Sequence, residues 1–112
     1  ETDMIDWNRV RLLREDVGAD EFDDVFALFC EEVRGALDDL GQLSQAHDIE
    51  GKLHFIKGAT LLLGFTDLSD VCADGEAKAA QGDVDTLDVT VLRTLFAASC
   101  AAFEGARSAE LP

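Results

Sequence analysis

The only proline in this chain is its last residue, Pro112, so no ring interrupts the backbone hydrogen bonds of an interior helix. Tyr is absent, and Val, Ile and Thr are scattered without strict polar/apolar alternation, which removes the usual signal for a sheet. Apolar residues instead return every three or four positions. The clearest stretch is 21–45, where Phe22, Val25, Phe26, Phe29, Val33, Leu37, Leu40 and Leu43 form one stripe. Asp20 is its expected N-cap, and Glu21, Asp23 and Asp24 suit the positive end of the helix dipole. Upstream, Asp6 is placed to cap a short helix from Trp7 to about Arg14, stopped by Gly18. Further helices are expected from about Ile49 to Gly64 and from near Asp67 to near Gly82. A fifth follows a cap at Asp85 or Thr86 and carries Val91, Leu92, Leu95, Ser99, Ala102 and Phe103. Short links around 45–48, 65–66 and 82–85 force consecutive long helices to run antiparallel. The expected architecture is all-α: an antiparallel up-down four-helix bundle with a short N-terminal helix as cover, one domain over residues 1–112.

Charge narrows the function. Nine Lys+Arg against 24 Asp+Glu leave a net −15, the opposite of what a nucleic-acid or anionic-membrane surface requires. At 47% hydrophobic residues the chain is not a disordered acidic tail. Cys30, Cys72 and Cys100 leave one thiol over in any internal pairing and form no CxxC, so neither a disulfide framework nor a structural zinc site is expected. They read as small apolar residues in a reducing compartment. No metal site is expected from His47, His54 and the cysteines, whose spacing fits no ligand set. There is no run of 18 apolar residues and no basic leader in residues 1–3, so the expected location is cytoplasmic. The missing initiator Met fits an excised fragment or a processed start.

Residues 53–65, LHFIKGATLLLGF, break the pattern of a plain bundle. On a helix advancing about 100° per residue, Ile49, Leu53, Ile56, Ala59, Thr60 and Leu63 fall on the half opposite His54. Lys57, Gly58, Leu61 and Phe65 fall within roughly 60° of it. The outward face then carries an imidazole, an ammonium, a residue without a side chain and two large apolar groups. Neutral imidazole keeps a nucleophilic lone pair on one ring nitrogen. Lys57 at i+3 sets a cation beside an incoming phosphate, and Gly58 at i+4 removes the Cβ that would crowd it. An interior helical glycine costs about 1 kcal/mol relative to alanine, so Gly58 and Gly64 so close together call for a reason.

His54, Lys57 and Gly58, then Thr60, Gly64, Leu68, Cys72 and Glu76, stand 3, 4, 6, 10, 14, 18 and 22 positions along from the histidine. This pattern resembles the signature of histidine-containing phosphotransfer (HPt) domains of two-component phosphorelays. The resemblance implies that His54 is the phosphoacceptor, with Lys57 and Gly58 orienting the phosphate and admitting the partner. It implies a structural role for Gly64 and a docking role for Leu61 and Phe65. The implied partners are response-regulator receiver domains and a sensor or hybrid histidine kinase. The chain is expected to bring no cofactor of its own, Mg²⁺ being supplied by the receiver. No nucleotide loop of the GxxxxGK[ST] type occurs, so a carrier without autokinase activity is implied. Lys52, Lys57 and Lys78 are expected to make the docking face less negative. Gly75 departs from the family, where a large apolar residue is usual, and is expected to loosen the packing of the two central helices. Two alternatives share these residues: an HPt-like domain cut from a larger histidine kinase, and a receiver-docking bundle that accepts no phosphate.

Overall fold

Asp6 opens the first helix by accepting hydrogen bonds from the backbone N–H of Asn8 and Arg9 in the computed structural model, which describes residues 4–112. Residues 1–3, where no basic leader is expected, lie outside the described residues. Five helices follow in order: α1 (Trp7–Val17), α2 (Ala19–Leu40), α3 (Ala46–Leu63), α4 (Thr66–Ala80) and α5 (Val89–Glu110). No strand occurs among the described residues, only an isolated bridge between Ile5 and Phe65. The chain is an all-helical bundle, as its periodicity requires.

Several boundaries differ from the expected ones. Gly18, at φ 91°, ends α1 and starts α2 at once, so Asp20 sits inside the first turn of α2 and is no cap. α2 stops at Leu40, before Leu43, and α3 begins three residues early at Ala46. α5 is capped by Asp88, whose carboxylate accepts from Thr90 N–H at 2.9 Å, and not by Asp85 or Thr86. The preceding loop tucks Val84 and Leu87 against the core and leaves Asp85 and Thr86 exposed, which delays the helix start. α5 is long and apolar enough to cross a membrane by length and composition, and its inner stripe of Leu92, Phe96, Ser99 and Phe103 is buried.

The core runs through all five helices. Val10, Val33, Leu53, Ile56, Leu63, Leu68 and Phe103 are fully buried. Aromatic rings tie α1, α2 and α5 together: Phe103 stacks on Phe26 at 4.0 Å and on Trp7 at 5.2 Å. The inner stripe of α3 consists of Ile49, Leu53, Ile56, Ala59, Thr60 and Leu63, which fixes the rotation of the helix and turns His54 to solvent. Thr60 is satisfied in this apolar setting by donating its hydroxyl to the carbonyl of Ile56 at 2.7 Å.

Gly64 closes α3 in the left-handed region, at φ 79°. A Cβ there would stand 2.7 Å from the Asp6 carbonyl oxygen and 2.9 Å from Val10 Cγ2. The same close approach lets Asp6 N–H donate to the Gly64 carbonyl at 2.7 Å and Thr66 N–H to the Met4 carbonyl at 3.1 Å, pinning the N-terminal segment onto the α3–α4 turn. Gly64→Ala is therefore expected to destabilise the fold by about 3 kcal/mol, combining left-handed strain with a backbone clash. Thermal unfolding followed by circular dichroism checks this, with the midpoint falling by about 10–20 °C.

Gly75 does not loosen the central pair. A Cβ at this position would meet Leu53 Cδ1 at 3.1 Å, so the missing side chain lets α4 settle closely on α3. The large apolar residue expected in the family would have to displace Leu53.

Candidate functional site

α3 carries His54 outward in mid-helix, its side chain 69% exposed. The outward face turns because the six buried residues of α3 face the other way. Gly58, one turn further on, leaves open space: a Cβ there would have nothing within 4 Å. A clear notch therefore stands beside the imidazole, on a backbone held rigid by the helix. Leu61, a further turn along, is 40% exposed.

Phe65 is not on this face. It is fully buried, packed edge-on against Phe26 at 6.0 Å and against Phe96 at 6.2 Å. The assignment of Phe65 to docking fails because α3 ends at Leu63 and the glycine turn redirects the chain. The helical angle used to place Phe65 no longer applies beyond a left-handed residue. Phe55 and Leu62, each 46% exposed, are the additional large apolar side chains of α3 at the surface.

Glu76, on α4, completes the site. Its Oε2 is 2.8 Å from His54 Nδ1, and its Oε1 is 2.8 Å from Lys57 Nζ. The ammonium of Lys57 holds the Glu76 carboxyl below the usual carboxylate range; burial opposes this, and the His54 ring adds to it. An ionised carboxylate only accepts hydrogen bonds, so the proton of a neutral His54 sits on Nδ1 and is donated to Glu76 Oε2. Nε2 is left with its lone pair at the solvent side. In the sequence Glu76 is only a spacing match; three turns into α4 it stands level with His54 on α3.

Lys57 thus spends its charge on Glu76 and is only 32% exposed. Lys52 is paired with Asp39 at 3.4 Å and Lys78 with Asp74 at 3.3 Å. Each of the three lysines expected to make the docking face less negative is thus paired with a carboxylate. No group of three or more metal-ligating side chains occurs among the described residues.

The all-helical bundle thus presents His54 at mid-helix beside open space at Gly58, with Glu76 of the next helix against its Nδ1. The family model of the Hpt domain matches residues 24–102, and the chain belongs to that family. Hpt domains are phosphoryl carriers of two-component signalling. Searches of curated proteins and of solved structures find no match.

Proposed function

We propose that this chain is a phosphorelay intermediate in which His54 Nε2 takes the phosphoryl group from an aspartyl phosphate of a receiver domain and passes it to another receiver. The observation that carries this reading is the short contact between His54 Nδ1 and the ionised Glu76. Nε2 needs no base, because it already holds its lone pair. It attacks phosphorus in line; the N–P bond forms as the acyl O–P bond breaks, and the receiver aspartate leaves as a carboxylate. The imidazole becomes a cation with its proton still on Nδ1, where Glu76 neutralises it. In the reverse step the same proton makes the ring a good leaving group, so the carrier works in both directions.

Lys57 positions Glu76 and balances its charge before transfer. Gly58 admits the phosphoryl group and the receiver surface around it, and Leu61 gives that surface apolar area. The divalent cation for this chemistry belongs to the receiver, and the chain itself works as a carrier without ATP-dependent autophosphorylation. In this reading α2–α5 form an up-down four-helix arrangement within one domain, with α1 as its cover, working in the cytoplasm. A sensor or hybrid kinase upstream charges the first receiver.

Incubation with a receiver charged at its aspartate is the test. The chain should acquire label that is stable in alkali and labile in acid, as phosphohistidine is; absence of label from every receiver tried contradicts the reading. Glu76→Ala tests the role of the carboxylate. It is expected to slow transfer by roughly 10- to 100-fold, the size of effect seen when a partner that fixes an imidazole is removed. Glu76→Gln should recover part of the rate through its amide oxygen. Because Lys57, and to a lesser degree His54, hold the Glu76 carboxyl below the usual range, it is ionised at neutral pH and its contribution to stability is present there. That contribution is lost only as pH falls through the lowered value. Glu76→Ala should therefore cost more stability at neutral pH than in acid; an equal loss at both would contradict this assignment.

A further inference from the structure

Cys30 on α2 and Cys100 on α5 line one open groove with about 420 Å³ of free space, together with Arg34, Glu104 and Arg107. The register of the two helices brings them together. Cys30 lies one turn from Phe26, which stacks on Phe103 at 4.0 Å, and one turn from Arg34, which sits over the Phe96 ring at 5.5 Å. Cys100 lies between those same two α5 rings, one turn from each. Both thiols line this groove from neighbouring helices, and both are half-buried and reduced. We propose that Cys30 and Cys100 form a reversible intramolecular disulfide, a redox modification site that ties α2 to α5.

The two sulfurs are chemically unequal. Cys100 is lowered to about 7, first by the neighbouring Cys30 and then, against burial, by the Arg34 guanidinium, with Glu104 opposing. Cys30 is pushed up, first by the neighbouring Cys100 and then by burial. Cys100 is thus the attacking thiolate at neutral pH. A small-molecule disulfide such as oxidised glutathione supplies the oxidising equivalents. The Cys100 thiolate attacks one of its sulfurs, forming a mixed disulfide and expelling one glutathione thiolate. Capping Cys100 removes the largest cause of the high Cys30 value. Cys30 then loses its proton to solvent and attacks the Cys100 sulfur, closing the protein disulfide and releasing the second glutathione thiolate. Two protein thiols are oxidised by two electrons, and one small disulfide is reduced to two thiols. Cys72 takes no part, being buried and pushed up to about 12 by burial and by Glu76.

The full chain is treated with oxidised glutathione at neutral pH, quenched in acid, and examined by intact mass and peptide mapping. The expected product is a monomer lighter by about 2 Da that maps to a Cys30–Cys100 link and is restored by dithiothreitol. Cys30→Ser and Cys100→Ser should each prevent it, Cys30→Ala serving where serine disturbs the packing, and Cys72→Ser should leave it unchanged. In the reduced chain, iodoacetamide should modify Cys100 about tenfold faster than Cys30. A glutathione adduct that persists on Cys100, a link through Cys72, links only between chains, or equal alkylation rates would each overturn the proposal.

Discussion

His54→Gln is expected to abolish phosphoryl acceptance while leaving the fold intact. The side chain is 69% exposed and contributes nothing to the buried stripe of α3, so the helix does not depend on it. Its one polar contact among the described residues is the bond to Glu76, and Glu76 retains Lys57, 2.8 Å away, as a partner when the imidazole is gone. The stability change should therefore stay within about 0.5 kcal/mol, as for other exposed positions. Glutamine retains polarity and bulk, but its amide nitrogen has no available lone pair to attack phosphorus. Label from a charged receiver should fall to background, whereas His47→Gln, at the start of α3, should be labelled like the parent. Equal labelling of His54→Gln and the parent would place the acceptor elsewhere.

Phe65→Ala is expected to have the largest effect on stability, about 3–5 kcal/mol, the usual range for removing a buried phenyl ring. Phe65 is fully buried between Phe26 and Phe96 and follows the glycine that joins α3 to α4. Its loss opens a cavity where three helices meet, and the residue beside it, Thr66, is where the N-terminal segment attaches through Met4. Chemical denaturation measures the loss. Under conditions where the variant remains folded, the rate of transfer to His54 should change no more than a few-fold. A docking residue would behave oppositely, with stability kept and receiver binding lost.

The contrast between Leu61 and Phe65 shows what periodicity reads and where it stops. The inward set Ile49, Leu53, Ile56, Ala59, Thr60 and Leu63 follows from apolar spacing alone, because burial selects one side of a continuous helix. The outward placement of His54, Lys57, Gly58 and Leu61 follows from it. The end of α3 at Gly64 was legible, but the close approach of Asp6 and Val10 from another part of the chain was not. The direction of Phe65, just past it, is a tertiary fact. The start of α5 was misplaced for a similar reason: Asp85, Thr86 and Asp88 are comparable caps locally, and the packing of Val84 and Leu87 chooses among them.

The site was legible in part. A histidine, a lysine and a glycine at fixed spacing pointed to phosphate, but the lysine was read as facing the phosphoryl group. In the fold it is matched to Glu76, across the α3–α4 interface. Distance along the chain, 22 residues from His54 to Glu76, hides a separation of 2.8 Å. Gly75 belongs to the same lesson: its value lies in how closely α4 sits on Leu53, a quantity no single helix reveals.

The central claim is that Glu76 keeps the proton on Nδ1 and leaves Nε2 as the nucleophile. Nitrogen-15 correlation spectra of the chain, recorded before and after phosphorylation by a charged receiver, test it directly. The resting ring should be the Nδ1–H tautomer and the product phosphorylated on Nε2 of His54. A resting Nε2–H tautomer, or a phosphoryl group on Nδ1, would contradict it.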